Sequence, residues 1–135
     1  MNREKIAEMI RESVIDYDKE LIIDAAEKLR SSVSDFYFQE INLKGKYPDL
    51  SFKYSGSFGF TFTFKDNSLV GRTDFEQSKI ILKKVSGPKH VLQQIKERII
   101  DEIIAKDHKL SCKDGDFNIE EVDEYLSKSI AEILK

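Results

Sequence analysis

Phe52-Lys53-Tyr54-Ser55-Gly56-Ser57-Phe58-Gly59-Phe60-Thr61-Phe62-Thr63-Phe64 decides the fold, because every ring in it stands at an even position. Successive side chains of a strand point to opposite faces. The spacing therefore predicts one face of rings and one of hydroxyls and lysine, with Ser55-Gly56-Ser57 dividing the run into two strands. Burying an aromatic side chain stabilises by about 1.5–3 kcal/mol relative to exposure, so the ring-bearing face demands a cover.

Downstream, Asp66-Asn67 reads as a turn into a strand from Ser68 to Thr73, and Ser78 to Val85 reads as another strand. In the latter, Ile80 and Leu82 alternate with Lys79 and Lys83. Ser86-Gly87-Pro88 then supplies a cap and a first-turn proline. From Pro88 to Lys106 the residues Val91, Leu92, Ile95, Ile99, Ile100, Ile103 and Ile104 keep helical spacing, which predicts a helix. A last helix is expected through Ile119, Val122, Leu126, Ile130 and Ile133, with Asn118 and Glu121 suited to its start.

Upstream, Ile6, Ile10, Val14, Tyr17, Leu21, Ala25 and Leu29 recur in steps of three or four and predict a helix from Arg3 to about Val33. Asp16-Tyr17-Asp18 could interrupt it, but the stripe passes through, which favours one continuous helix. Aromatic enrichment from Asp35 to Leu43 suggests a strand, with a helical extension toward a Gly45 cap as the alternative. Parallel strands need crossovers of a dozen or more residues, and the central connections are too short for them. The expected architecture is a single α+β domain over residues 1–135. It has a long N-terminal helix, an antiparallel β-meander of four or five strands, and two C-terminal helices packed on one face of the sheet.

Composition narrows the setting. No apolar run approaches the 18 or so residues of a membrane span, and Met1 to Val14 lacks the apolar core of a secretory signal. The one cysteine, Cys112, cannot form an internal bridge, so a reducing cytoplasmic location is expected. Charge is segregated beneath a net value of -3: residues 46–100 hold ten Lys/Arg against five Asp/Glu, whereas the flanks are acidic. If the parities hold, Lys53, Thr61, Thr63, Lys65, Lys79 and Lys83 share the polar face of the sheet, with Arg72 or Lys84 joining them near its edges. Such a face suits a carboxylate-rich protein partner. One-sided antiparallel sheets ordinarily have a polar face, so the pattern alone does not select the partner.

Two local motifs resemble known families without completing their patterns. Gly56-Ser57-Phe58-Gly59-Phe60-Thr61-Phe62 resembles the aromatic strand of RNA-recognition domains, which would imply base stacking on exposed rings. Here the opposite face offers threonines where that fold needs apolar core residues, Gly56 replaces its basic residue, and a helix stands where that fold opens with a strand. Core packing is the better reading of the rings. Cys112 to Asp123 resembles a calcium-binding EF-hand loop, with Asp114, Gly115, Asp116 and Ile119 at its third, fourth, fifth and eighth positions. Cys112 in place of the first carboxylate, Phe117 of the bend glycine and Asp123 of the bidentate glutamate remove the ligands that calcium needs.

No catalytic, metal or cofactor site is assigned. Ser57 lacks the glycine two residues earlier that a nucleophile elbow requires. His108 with Cys112 supplies only two soft ligands where a structural zinc takes four. The leading expectation is a non-enzymatic protein-interaction module, such as a small regulator, inhibitor, immunity protein or chaperone, using the basic sheet face or an acidic helix face. The alternative is a small-molecule-binding or catalytic domain with a pocket between sheet and long helix, where Tyr17, Tyr37 or Tyr54 would supply a polar handle. Third comes nucleic-acid binding through the lysines. A homodimer would draw on the helix from Pro88 and on Ile133-Leu134.

Overall fold

The computed structural model describes residues 1–45, 47–88 and 90–130, leaving aside the side chains of residues 15 and 16. It opens with a 33-residue helix, α1 (Arg3–Asp35), started by the Asn2 side chain accepting from the Lys5 N–H at 2.8 Å. The helix runs unbroken through Asp16 to Asp18 and continues as a wider π-type turn over Phe36–Ile41. Asn42 then ends it in the left-handed conformation, its N–H donating to the Tyr37 carbonyl. The strand expected over residues 35–43 is therefore helical. Aromatic content misled because the rings serve tertiary packing: Phe36 meets Phe62 edge-on at 5.9 Å, and Tyr37 stacks on Phe52 at 6.3 Å.

Seven strands follow in sequence order as one antiparallel meander: β1 (Leu50–Ser55), β2 (Gly59–Phe64), β3 (Asn67–Asp74), β4 (Lys79–Ser86), β5 (Lys96–Lys106), β6 (Lys109–Cys112) and β7 (Gly115–Asp116). A single C-terminal helix, α2 (Glu121–Ser129), completes the described chain. The register sets Phe60 opposite Gly71, Phe62 opposite Leu69, Gly71 opposite Leu82 and Ile80 opposite Ile103, so these residues share one face. That face is buried against Ile22, Ala25, Leu29 and Val33 of α1 and against Val122 and Tyr125 of α2. Even parity thus holds where it matters, with Phe60 and Phe62 in the core and Phe52 and Phe64 half-buried at its margin. Tyr54, near the end of edge strand β1, is exposed, its ring beneath the Arg30 guanidinium at 5.0 Å.

The helix expected from Pro88 to Lys106 is the main correction. Only a short 3-10 turn, Leu92–Gln94, forms there, and β5 takes the rest. The register shifts from Leu82 opposite Asp101 to Lys83 opposite Ile99, so Ile100 is an extra residue bulging from β5. A bulge resets the strict alternation of a strand. The pairs Ile99-Ile100 and Ile103-Ile104 then repeat at a spacing of four, which imitates a helix in sequence while β-branched isoleucine favours the strand.

Residues 112–116 form a hairpin, with Cys112 opposite Gly115, and not the loop between two helices that an EF-hand requires. Asp101, buried on the helix-facing side of β5, ties this end together. Its Oδ1 accepts from the Lys113 N–H at 2.9 Å and the Glu102 N–H at 2.8 Å, while Oδ2 accepts from the Tyr125 hydroxyl at 2.6 Å. No helix among the described residues is long and apolar enough to cross a membrane.

Candidate functional site

A cavity of about 500 Å³ lies where the end of α1, the first two strands and α2 converge. Its walls come from Phe36 and Ile41 of the π-type turn, Leu50 of β1, and Phe62 and Phe64 of β2. Leu126 and Ile130 line it from the α2 side. The π-type turn matters here, because its extra residue per turn shifts Ile41 relative to a continued α-helix. On the sheet, the even-position rings that cover the core also run out beyond it, and Phe64 at the β2 end forms part of the wall.

Polar groups are few. Asp123 and Ser127, one helical turn apart on α2, are the polar side chains at the cavity among the described residues. The three tyrosines expected to furnish a polar handle do not line it: Tyr17 packs on His108 with ring centroids 4.7 Å apart, Tyr37 lies among Phe38, Phe52 and Phe62, and Tyr54 is at the sheet edge. The carboxylate at Asp123 favours a neutral or cationic head group over an anionic one. What the sequence could have offered as a signal is the acidic and hydroxyl pair at i and i+4 beside the apolar Leu126 and Ile130.

Among the described residues, no helix packs on the opposite face of the sheet. Lys53, Thr61, Val70, Lys83 and Ile99 form one row across it, since each is registered on the next. Arg72, Ile81 and Glu102 form a second, and Asp74, Lys79 and Ile104 a third. Four of the five expected contact residues, Lys53, Arg72, Lys79 and Lys83, thus share this face; Lys65 sits in the β2–β3 turn, its ammonium 5.3 Å from the Phe64 ring. Lys84 has the opposite parity and belongs to the helix-facing side.

Because β5 is a strand, it brings carboxylates among these cations. Lys79 Nζ lies 3.5 Å from Glu102 and Lys83 Nζ 3.8 Å from Glu97. Such pairs are partly exposed and contribute about 0–1 kcal/mol each. Their larger effect is to divide what the sequence suggested was a uniformly basic surface into alternating charges, with Ile99 and Ile104 exposed between them. Thr63, expected among the open polar groups of this face, lies on it but is buried, sharing a hydrogen bond of 2.8 Å with its cross-strand neighbour Ser68.

The Cys112 thiol is pushed up from its ordinary value, first by burial and further by neighbouring carboxylates, which favours the protonated, less nucleophilic form. Among the described residues, no three His, Cys, Asp or Glu side chains gather as a metal site. No protein-family model matches the chain, and neither a curated protein nor a solved structure is significantly similar to it.

Proposed function

We propose that this chain is a non-enzymatic binding protein that takes an apolar or neutral amphiphilic small molecule into the cavity between α1, β1, β2 and α2. The observation that carries this reading is a volume of about 500 Å³ lined, among the described residues, mostly by aliphatic and aromatic side chains. Small-molecule sites commonly span roughly 300–1,000 Å³, with mostly apolar walls and a few polar groups that orient the ligand. Asp123 and Ser127 would serve as those groups, the hydroxyl donating to or accepting from the head group and the carboxylate accepting from a donor.

The test is fluorescence titration with 1-aminoanthracene, a neutral apolar probe, into the wild type and into Leu126→Trp, whose indole would fill the cavity. Saturable enhancement in the wild type and its loss in a folded Leu126→Trp are expected. A second blocking variant, Ile41→Trp, guards against misfolding of the first. Enhancement that persists in both folded variants, or none in the wild type, would refute the reading.

A protein partner on the uncovered sheet face is the second reading, favoured by the shared side of Lys53, Arg72, Lys79 and Lys83 with exposed Ile99 and Ile104. Alternating charges around an apolar strip suit a protein better than a nucleic acid, whose phosphates would meet Glu97 and Glu102.

A further inference from the structure

Strand β1 is an edge of the sheet, and its outer backbone is open. The Lys65 N–H donates to the Asp49 carbonyl at 2.6 Å, which fixes the alternation of the β1–β2 ladder. Hydrogen-bonded and non-hydrogen-bonded pairs alternate along an antiparallel ladder. With Leu50 opposite Phe64, it follows that Ser51, Lys53 and Ser55 turn their N–H and C=O toward β2, while Phe52 and Tyr54 turn theirs outward. Among the described residues, nothing donates to or accepts from those outward groups. The opposite edge of the sheet, β7, is two residues long. Residues 96–103 of β5 also lack a strand on the β6 side, but Lys96, Glu97 and Arg98 guard that stretch with alternating charge.

The side chains around this edge have a definite chemistry. On the helix-facing side, Phe38, Phe52 and Tyr54 form a row of rings with centroids 6.3 and 5.2 Å apart, and Phe38 and Tyr54 are 58% and 63% exposed. The Arg30 guanidinium lies over the Tyr54 ring at 5.0 Å and the Phe58 ring at 5.6 Å, and the Tyr54 and Ser34 hydroxyls line the same groove, 3.5 Å from each other. On the other side of the sheet, Lys53 ends its row at the edge. Neither cation has a carboxylate partner among the described residues, in contrast to Lys79 and Lys83. Asp35 is the one carboxylate among the described residues that line the Arg30 groove.

We propose that β1 takes up an extended, acidic segment of a partner protein as an eighth, antiparallel strand of the seven-stranded sheet, held by the outward groups of Phe52 and Tyr54. A row of free strand N–H and C=O groups is complementary to another extended backbone. The residue opposite Lys53 falls in a non-hydrogen-bonded pair, where side chains come closest, so a carboxylate there meets the ammonium directly. The residue opposite Tyr54 projects on the helix-facing side and brings a second carboxylate to the Arg30 guanidinium. The residue opposite Phe52 shares that side and meets the rings of Phe52 and Phe38, so it is apolar. Read from its N-terminus, the segment is therefore acidic, acidic, apolar. Charge and backbone argue against a second copy of β1 in this place. Pairing Phe52 with its own copy sets Lys53 against Ser51, and pairing Phe52 with Tyr54 sets Lys53 against Lys53. The register that sets Lys53 against Asp49 needs the Leu50 N–H, which already donates to the Tyr47 carbonyl at 3.3 Å, and leaves Tyr54 opposite Pro48, which has no N–H. Nothing in this arrangement depends on what the cavity holds.

Amide chemical-shift mapping of the full chain with the blocked peptide Thr-Val-Glu-Glu-Leu-Thr tests this. Saturable shifts are expected at the Phe52 and Tyr54 N–H groups. A peptide with lysine in place of both glutamates should bind about tenfold more weakly, and Lys53→Glu should reverse the preference between the two peptides. Arg30→Gln should lower affinity only for peptides that keep the first glutamate. Backbone methylation of the peptide supplies a test that leaves the protein untouched. Methylating the leucine nitrogen, whose N–H donates to the Phe52 carbonyl, should weaken binding by about tenfold, whereas methylating the second glutamate nitrogen, whose N–H points away from β1, should be tolerated. Silence at Phe52 and Tyr54, indifference to the peptide's charge, or equal effects of the two methylations would each overturn the proposal. So would shifts at Phe52 and Tyr54 that follow protein concentration without peptide, the mark of a dimer through β1.

Discussion

The Tyr125 hydroxyl donates to Asp101 Oδ2 at 2.6 Å inside the core, joining α2 to the strand that the sequence disguises as a helix. With two backbone N–H groups on Oδ1, the carboxylate is held from both oxygens. Hydrogen bonds to a charged group contribute more than neutral ones, and a buried acceptor left short of a donor carries a desolvation cost. Tyr125→Phe is expected to lose about 1.5–3 kcal/mol, read by chemical denaturation. A loss under about 0.5 kcal/mol would mean that water replaces the hydroxyl.

The same contact sets an alkaline limit. Burial, and then the hydrogen bond to Asp101, raises the Tyr125 hydroxyl above its ordinary value of 10.0. The folded state keeps this proton where the unfolded chain gives it up, so the group's contribution is complete below pH 10 and declines as pH rises beyond it. Stability measured from pH about 8 to about 11 should fall more steeply for the wild type than for Tyr125→Phe, which has no proton to lose there. Parallel slopes would contradict it.

Gly71 faces Phe60 across the β2–β3 pair, and the ring lies over its Cα so closely that an added Cβ would collide with ring carbons. Gly71→Ala should therefore destabilise by about 1–3 kcal/mol through displacement of Phe60, despite alanine's lower backbone entropy cost. Thermal unfolding of Gly71→Ala beside Phe60→Leu and the double variant would show the coupling. The smaller side chain at position 60 should recover part of the loss.

The ion pairs on the uncovered face should matter little to folding. Lys79→Gln and Lys83→Gln, which release Glu102 and Glu97, are expected to change stability by less than about 1 kcal/mol each. A larger loss would show that these pairs order the sheet.

The chain's alternation was readable where one face of a strand meets the core and the other does not. Phe60 and Phe62 with Thr61 and Thr63 belong to β2, whose neighbours on both sides are regular, and their facing follows from parity alone. Alternation failed on β5, because the extra residue at Ile100 converts a period of two into paired isoleucines four apart. It also failed from Phe36 to Ile41, where aromatic content reflects tertiary packing and not backbone preference. The polar sheet face could be anticipated from Lys53, Arg72, Lys79 and Lys83, but not its partial neutralisation, since Glu97 and Glu102 reach it only if β5 is a strand. The pocket expected between the sheet and the long helix, with Tyr17, Tyr37 or Tyr54 as its polar handle, is a different place from this cavity, which is lined from the π-type turn, β1, β2 and the α2 side and which none of those tyrosines lines. Asp123 and Ser127 lie on the final helix, and nothing in linear spacing brings that helix beside Phe64.

Methyl chemical-shift mapping with dodecanol, a neutral amphiphile, separates the two readings of function most directly. Binding in the cavity predicts saturable shifts at Ile41, Leu50, Leu126 and Ile130, with Ile99 and Ile104 on the uncovered face unmoved. Shifts at Ile99 and Ile104 with the cavity methyls silent, or no saturable shift anywhere, would contradict it.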